Sequence, residues 1–148
     1  MSTPFCLLLP RPLYQEMLAQ ARAELPNECC GLLAGRILEP LQPGVPVRGQ
    51  VIRCYPLVNE AASPTEYLSE PRSMFAAVRA MDREGLALLA VYHSHPTSDP
   101  VPSRTDRERN YSAEVINLIL SLKTEEPLTR AWWLTAEDYR EAEWVVTD

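Results

Sequence analysis

The sequence predicts an α/β or α+β domain in which a sheet forms the centre and two or three helices flank it. Residues 86–92 are seven apolar or aromatic side chains in a row, without alternation, which is typical of a strand covered on both faces. Other short runs are rich in the β-branched residues that favour strands. Two further segments carry apolar residues at helical spacing, namely Leu13, Met17 and Ala21 in the first and Met74, Val78 and Met81 in the second.

Prolines divide the first half of the chain into elements. Pro10 and Pro12 follow a short apolar run and open a helix that continues to about Leu25, where Pro26 ends it. Two strands follow, separated by a loop rich in proline and glycine. The predicted elements are a strand at 5–9, the helix, a strand at 29–38, a loop at 39–49 and a strand at 51–58.

The second half begins with residues 59–70, which are predicted to be irregular with at most a short strand at Tyr67. Pro71 suits the first turn of a helix, and Gly85 suits its C-terminal stop. The remaining predicted elements are the buried strand at 86–95, a helix from 104 to about 113, and closing strands at 115–122, 130–134 and 140–146.

The length and the net charge of the chain indicate its domain organisation and argue against some classes of binding partner. A chain of 148 residues with 46% hydrophobic and 23% charged residues is typical of a single folded domain, here 1–148. The formal net charge of -6 argues against a nucleic-acid binder or a protein held at an anionic membrane, because these polyanions repel an acidic surface. The apolar run at 5–9 is too short for a signal sequence, so we expect a cytoplasmic protein.

Four cysteines are present, Cys6, Cys29, Cys30 and Cys54. They could form two disulfides. The sequence predicts no secretory signal and contains no C-x-x-C pair, however, so we expect reduced thiols that pack as small apolar side chains.

The only two histidines, His93 and His95, are separated by one residue at the end of the predicted buried strand. Side chains two apart on a strand point to the same face, so both imidazoles could contact one metal ion. Such a site needs a third ligand. Two carboxylates are candidates: Asp99, if the loop doubles back at once, and Asp106, which falls one turn into the next helix.

Ser103 and Asp106 also fit another role. A serine followed three residues later by an acidic residue forms a capping box at the start of a helix. This interpretation explains these two residues but not the histidines. From the residues alone, a metal site and a pair of ordinary polar histidines at a strand end both stay open.

The order of these residues resembles the JAMM (MPN-plus) metalloprotease family. The family motif H-x-H-P-x6-S-x2-D is met in full by His93, His95, Pro96, Ser103 and Asp106. The likeness extends to a glutamate just before a C-G-L-L strand, in the segment PNECCGLLAG, and it covers most of the chain. The compact length is similar to that of the prokaryotic stand-alone members. The resemblance implies an MPN domain, which is a cytidine-deaminase-like α/β sandwich with a central mixed sheet flanked by helices.

The resemblance also assigns roles to individual residues. It implies that His93, His95 and Asp106 bind Zn²⁺, with a water at the fourth position whose pKa the metal lowers to about 7. Glu28 matches the general base that takes a proton from this water and passes it to the leaving amine. Glu24 is a rival for that role, although the C-G-L-L context favours Glu28.

The resemblance implies a substrate as well. The family hydrolyses peptide or isopeptide bonds after the Gly-Gly tail of ubiquitin-like proteins, and its prokaryotic members are associated with trimming sulfur-carrier proteins. Ser103 matches the serine that stabilises the tetrahedral oxyanion. We therefore expect a zinc metallopeptidase that holds such a tail in a groove, whose candidate walls are residues 39–49 and 59–70.

Two other functions stay open on the sequence. The chain could be a non-catalytic scaffold with the same fold, as the MPN-minus relatives are, but the complete motif argues against this. It could also be a zinc hydrolase of another class, such as a deaminase or a DNA-repair-associated relative. The lack of a P-C-x-x-C signature and the acidic charge argue against that class. The sequence leaves open whether the chain is a monomer or a homodimer.

Overall fold

The computed structural model describes residues 4–110 and 112–148, which form one mixed sheet of eight strands and three helices. The strands are β1 (Cys6–Pro10), β2 (Cys30–Leu38), β3 (Arg48–Leu57), β4 (Ala87–His95), β5 (Ile116–Ser121), β6 (Leu128–Leu134), β7 (Tyr139–Glu141) and β8 (Trp144–Thr147). The helices are α1 (Arg11–Ala23), α2 (Pro71–Glu84) and α3 (Arg104–Glu108). None of these helices is long and apolar enough to cross a membrane.

The sheet is covered on both faces. Its strand order is β7-β6-β5-β4-β2-β3-β1-β8, with β4 antiparallel to β2 and parallel to β5. Met17 and Ala21 of α1 pack into the core on one face, and Ala77 and Met81 of α2 pack into the core on the other. The last seven residues of β4 are all buried, which is why the sequence shows no alternation there. A mixed sheet flanked by helices confirms the predicted α/β sandwich.

The proline and glycine signals mark the helix ends. Pro12 lies in the first turn of α1, where its missing N–H is not needed. At the start of α2, the carboxylate of Glu70 accepts hydrogen bonds from the backbone N–H groups of Arg72 and Ser73, which satisfies donors that the helix leaves free. At its end, Gly85 has a φ of 66°, the left-handed conformation that glycine adopts without a Cβ clash. The predicted stop at Gly85 is confirmed.

The predicted closing strand at 140–146 is wrong, because two strands at opposite ends of the sheet order occupy it. β7 pairs with β6 and ends at Glu141, whereas β8 pairs with β1 and begins at Trp144. In a flat sheet with strands about 4.8 Å apart, these edges would lie more than ~30 Å from each other, but the two intervening residues can span only about 10 Å. The sheet must therefore curl until its edges nearly meet.

Helix α3 is shorter than the predicted helix, which was expected to reach about residue 113, and ends at Glu108. The side-chain amide of Asn110 donates hydrogen bonds to the carbonyls of Ser112 and Leu134, and its oxygen accepts one from Asn117. Because a polar side chain that bonds to backbone competes with helix formation, Asn110 takes the chain out of α3 and anchors it to β5 and β6.

Residues 59–70 are irregular, as the sequence predicts. A single bridge between Asn59 and Ser69 closes the segment, two residues away from the short strand expected at Tyr67. Inside it, the amide oxygen of Asn59 accepts hydrogen bonds from the N–H groups of Ala61 and Leu68. The buried side chain of Asn59 thus satisfies backbone N–H groups that pair with a neighbouring strand in a regular sheet.

All four cysteines are free thiols. Burial raises the pKa of Cys29 and of Cys30 to about 12, so both stay protonated and pack as small apolar side chains in the two cores.

Candidate metal centre

The end of β4 separates its last three side chains between the two faces of the sheet. His93 and His95 lie on one face with their Nε2 atoms 3.1 Å apart, and both are buried. Ser94 points to the other face, where its Oγ accepts a 2.8 Å hydrogen bond from the N–H of Cys29. The strand therefore aims two imidazoles at one point and uses the residue between them to hold the start of the neighbouring strand β2.

Helix α3 brings a carboxylate to the same point. Asp106 and Ser103 form a capping box, in which the N–H of Asp106 donates to Ser103 Oγ at 3.0 Å and the N–H of Ser103 donates to Asp106 Oδ2 at 2.9 Å. The same Oδ2 atom lies 3.2 Å from Nε2 of His93 and 3.2 Å from Nε2 of His95. The sequence leaves capping and metal binding as alternative roles for Asp106. In the structure one carboxylate both caps α3 and faces the two histidines.

The three donor atoms form a nearly equilateral triangle. Its edges are 3.1, 3.2 and 3.2 Å. A tetrahedral zinc ion about 2.0–2.1 Å from each ligand requires edges of about 3.3–3.4 Å, so a very small adjustment of the side chains would admit the ion. His93, His95 and Asp106 are thus the group that could hold a metal in the described residues.

The charges at this point match a cation site. Burial by itself would raise the pKa of Asp106, but the two histidines and the Ser103 N–H hold that pKa well below its usual range. Burial lowers the pKa of His95, yet its hydrogen bonds to Asp106 and to the Asp99 carbonyl raise the pKa overall. The carboxylate is therefore ionised at neutral pH, which is the state that binds a metal.

The two imidazoles are oriented by different means. Nδ1 of His95 lies 2.8 Å from the carbonyl oxygen of Asp99, which fixes a proton on Nδ1 and leaves the Nε2 lone pair for a metal. The Nδ1 of His93 has no hydrogen-bond partner among the described residues. Its ring instead stacks on the ring of Tyr67, with centroids 4.6 Å apart and planes inclined by 27°.

The geometry decides between the two candidate third ligands. The carboxylate of Asp99 is exposed and pairs with Lys123 Nζ at 3.2 Å. Only its backbone carbonyl faces His95. Asp106 therefore completes the triangle, while Asp99 supports it through the main chain.

Glu28 lies beside the triangle, in the connection between α1 and β2. Its N–H donates to the carbonyl of Ser63, and its carbonyl accepts a hydrogen bond from the side chain of Asn59 at 3.0 Å. The side chain is only 3% exposed, and its Oε1 has no hydrogen-bond partner among the described residues. The rival Glu24 is partly exposed at the end of α1, where its Oε2 accepts from Gln20.

The environment of Glu28 favours the protonated form. Burial raises its pKa to about 8, with His95 opposing the rise and the negative charges of Asp106 and Glu66 adding to it. These interactions also show that the carboxyl is close to the metal centre. A buried carboxyl with one oxygen unpaired and a pKa near neutrality can accept and return a proton.

A small groove of about 130 Å³ is bounded in part by Tyr67, whose ring stacks on His93. It is lined by residues 30–32 of β2 and Val91 of β4, and residues 67–69, which belong to the candidate wall 59–70, form part of its side. The other predicted wall, residues 39–49, is elsewhere. Residues 44–47 line a separate pocket with the N-terminal strand, where the N–H of Cys6 bonds to Val47.

Three residues of the site are missed by the sequence reasoning. Ser94 accepts a hydrogen bond from the N–H of Cys29, and Asn59 donates one to the carbonyl of Glu28. The ring of Tyr67 stacks on that of His93. The asparagine at a strand end is a turn signal, which could have indicated a local role. For all three residues, however, the sequence contains no pattern that indicates which distant residue each one contacts.

Residues 10–135 match the family described as prokaryotic homologs of the JAB domain. The match contains the five residues to which the sequence assigns a role, Glu28, His93, His95, Ser103 and Asp106, and it confirms the JAMM-type resemblance.

Curated relatives and a solved structure are similar to the chain. A probable TtuB-protein conjugate cleaving protease of Thermus thermophilus is 42% identical over 101 residues, which are 68% of this chain but only 60% of that relative's length. A desampylase of Haloferax volcanii is 34% identical over 82% of this chain and 79% of its own. The solution structure of a Desulfitobacterium hafniense protein has a TM-score of 0.81 at 33% identity, covering 96% of this chain and 93% of that one.

Proposed function

The chain belongs to the family of prokaryotic homologs of the JAB domain, and from that membership we propose that it is a zinc-dependent peptidase or isopeptidase. In this proposal it hydrolyses the bond after the C-terminal Gly-Gly of a ubiquitin-like or sulfur-carrier protein. The observation that carries the proposal is the triangle of donor atoms with a buried carboxyl beside it, whose Oε1 has no partner among the described residues. The name of the Thermus relative, a protease that cleaves a protein conjugate, supports the substrate class.

His93, His95 and Asp106 hold the ion in this proposal. Three protein ligands leave one position open, which distinguishes a catalytic zinc site from a structural one. Bound zinc supplies a Lewis acid and lowers the pKa of a water molecule to about 7. The carbonyl of Asp99 holds the His95 ring so that its Nε2 lies beside Asp106 Oδ2, where the ion would be bound.

Glu28 holds and moves the proton. Its unpaired Oε1 is free to accept a hydrogen bond from a water molecule, as a general base must. A nearby cation favours the ionised carboxylate, so the pKa of Glu28 falls from about 8 when the metal site is filled. After the carboxylate takes the proton from water, it is positioned to give that proton to the leaving amine.

Ser103 supplies a hydroxyl for the oxygen of the scissile carbonyl. Its Oγ accepts a hydrogen bond from the N–H of Asp106, so its own proton is left to donate. Because the capping box fixes the serine relative to Asp106, the donor stays next to the metal ligand throughout the reaction.

The small groove bounded by Tyr67 supports glycine before the cut. Its volume of about 130 Å³ is small, and Tyr67 forms part of its wall directly over His93. A backbone without side chains can approach this position closely, whereas a branched residue would meet the walls.

A cleavage assay tests the proposal. A ubiquitin-like carrier protein, extended by one residue after its Gly-Gly or joined through its tail to a lysine, should be cut after the second glycine. Replacing that glycine with valine should lower kcat/KM by at least about 100-fold, and changing the residue after the cut should lower it far less. Phenanthroline should abolish cleavage and added zinc should restore it. Equal turnover of the Gly-Gly and Gly-Val tails would contradict the substrate assignment.

The zinc itself is tested by metal analysis. The purified protein should carry close to one zinc per chain, because the described residues contain a single three-ligand group. His95→Ala should remove it. Full zinc occupancy in this variant would show that other side chains bind the metal.

A non-catalytic scaffold is harder to reconcile with the site. The carboxyl of Glu28 is buried, and its Oε1 has no hydrogen-bond partner among the described residues. A general base needs such a free oxygen to accept a proton, whereas a scaffold has no use for it.

A further inference from the structure

We propose that Ser121 and Trp132 are positioning residues for the metal centre, because together they fix the main-chain carbonyl that orients His95. The inference rests on the metal site of the proposed function. Neither residue touches the donor triangle. Each acts on the loop between β4 and α3, which carries the carbonyl of Asp99.

The orientation of His95 depends on that one carbonyl. Nδ1 of His95 lies 2.8 Å from Asp99 O, and the N–H of Val101 donates to the same oxygen at 2.8 Å. Both lone pairs of the oxygen are then used. If the carbonyl rotated away, the imidazole would lose its only fixed Nδ1 partner and could change tautomer or turn its Nε2 away from the metal.

Hydrogen bonds hold the residue on each side of Asp99. The hydroxyl of Ser121 donates to the carbonyl of Ser98 at 2.6 Å, and the indole N–H of Trp132 donates to the carbonyl of Pro100 at 2.9 Å. The peptide units before and after the Asp99 carbonyl are thus tied to the sheet. With both neighbours fixed, the carbonyl between them has little freedom to rotate.

The two donors come from rigid strands. Ser121 is the last residue of β5 and lies in register with His95 of β4, while Trp132 lies within β6. Both side chains are buried, at 2% and 5% exposure. Side chains fixed by sheet packing hold a functional group more accurately than loop residues do. Between Pro96 and Pro102 the loop forms no strand or helix. The two hydrogen bonds from the sheet therefore restrict its movement.

The chain offers matched controls for both residues. Trp133 adjoins Trp132 on β6, but its ring packs edge-on against Phe5 on the other face of the strand. Thr129, on the same strand, has a hydroxyl that bonds to Tyr14 and not to the loop. Trp133→Phe and Thr129→Val therefore remove an indole or a hydroxyl from β6 without changing the hydrogen bonds to the loop.

The experiment compares Trp132→Phe and Ser121→Ala with these controls. The dissociation constant for zinc is measured by competition with a chelator, and the unfolding of each metal-free variant by urea. Trp132→Phe and Ser121→Ala should each weaken zinc binding roughly 10–100-fold, the usual effect of losing a residue that orients a ligand. Trp133→Phe and Thr129→Val should change it by less than about 2-fold, even where they lower stability as much.

Nitrogen NMR of the imidazoles gives a readout that stability alone would not move. Since the chain has only two histidines, the spectrum of the metal-free protein at pH 8 contains two ring systems. His95 should be the Nδ1–H tautomer in the wild type and should become a mixture in Trp132→Phe and Ser121→Ala.

The outcomes separate this inference from the proposed function. A wild type that binds no zinc would overturn the proposed function, while the tautomer of His95 would still test the role of the two donors. An unchanged tautomer in both variants, or zinc affinities equal to those of the controls, would overturn the inference and leave a structural role only.

Discussion

Asp106 and Glu28 are two buried carboxyl groups at one site, and the regions that hold them have opposite effects on their charge. Asp106 sits at the start of α3, where its oxygen accepts a backbone N–H and faces two imidazoles, and its pKa is well below the usual range. Glu28 sits between α1 and β2 with one oxygen unpaired, and burial raises its pKa to about 8.

The difference shows how a fold assigns roles to chemically similar side chains. A carboxylate that accepts hydrogen bonds and faces imidazoles stays ionised and can bind a cation, whereas one that is buried without partners gains and loses a proton near neutral pH. The two environments also have opposite effects on the stability of the folded protein. Pairing makes Asp106 stabilising at neutral pH, while burial makes the charge of Glu28 destabilising.

The largest effect is expected from breaking the Asp106 region. Asp106→Asn removes the negative charge and one of the three ligands, so zinc affinity should fall by more than about 100-fold and cleavage should fall to background. Metal analysis after dialysis and the Gly-Gly cleavage assay measure both effects. A variant that keeps its zinc would show that the ion does not depend on this carboxylate.

The next effect comes from the Glu28 region. Glu28→Gln keeps the size of the side chain and removes its basicity, so turnover should fall by roughly 10²–10⁴-fold while zinc stays bound. The measurements are kcat and zinc content on the same preparation. If Glu28→Gln lost zinc and Asp106→Asn kept it, the roles of the two carboxyl groups would be reversed.

A third prediction concerns the stability of the metal-free protein against pH. The pKa of Glu28 is about 8 in the folded state and about 4.3 in the unfolded chain, so between these values unfolding releases a proton and stability falls as pH rises. Glu28→Gln removes this loss. Its free energy of unfolding should exceed that of the wild type by on the order of 2–4 kcal/mol at pH 8, and the excess should vanish near pH 4.

The same measurement on Asp106→Asn should give the opposite sign. The lowered pKa of Asp106 contributes stability that is present above the unfolded pKa of about 3.9 and is lost as pH falls through the folded value. Asp106→Asn should therefore be less stable than the wild type at neutral pH, by urea unfolding with a chelator present. A stability change of the same sign in both variants would contradict the contrast between the two regions.

The smallest effect is expected at Asp99, a third carboxyl close to the site. Its side chain is exposed and pairs with Lys123, and only its main-chain carbonyl contacts His95. Because exposed ion pairs contribute little, Asp99→Asn should change zinc affinity and kcat by less than about 2-fold. A large loss of zinc would show that this carboxylate takes part in binding the metal.

The sequence predicted most of the fold because its signals are local. The apolar run of β4 and the Pro71 and Gly85 ends of α2 each act within a few residues, and the structure contains all of them. The prediction of one closing strand failed because the split between β7 and β8 is set by the curl of the whole sheet, which joins edges that lie far apart in its strand order. No pattern within residues 140–146 encodes that.

The sequence by itself determined which side chains are available for the chemistry. The spacing of His93, His95, Ser103 and Asp106 is a property of the chain, and strand geometry puts the two histidines on one face wherever the strand lies. The family, and the substrate class proposed from it, also depend on this spacing.

Only the tertiary structure decided the state and surroundings of those side chains. The raised pKa of Glu28 comes from burial among elements up to 78 residues away in the chain, since His95 and Asp106 act on it. The choice of Asp106 over Asp99 depends on the course of the loop after β4, which leaves the Asp99 carboxylate exposed beside Lys123 and turns only its carbonyl towards His95. Charge, burial and hydrogen bonding depend on distance in space, and a pattern along the chain records only distance in sequence.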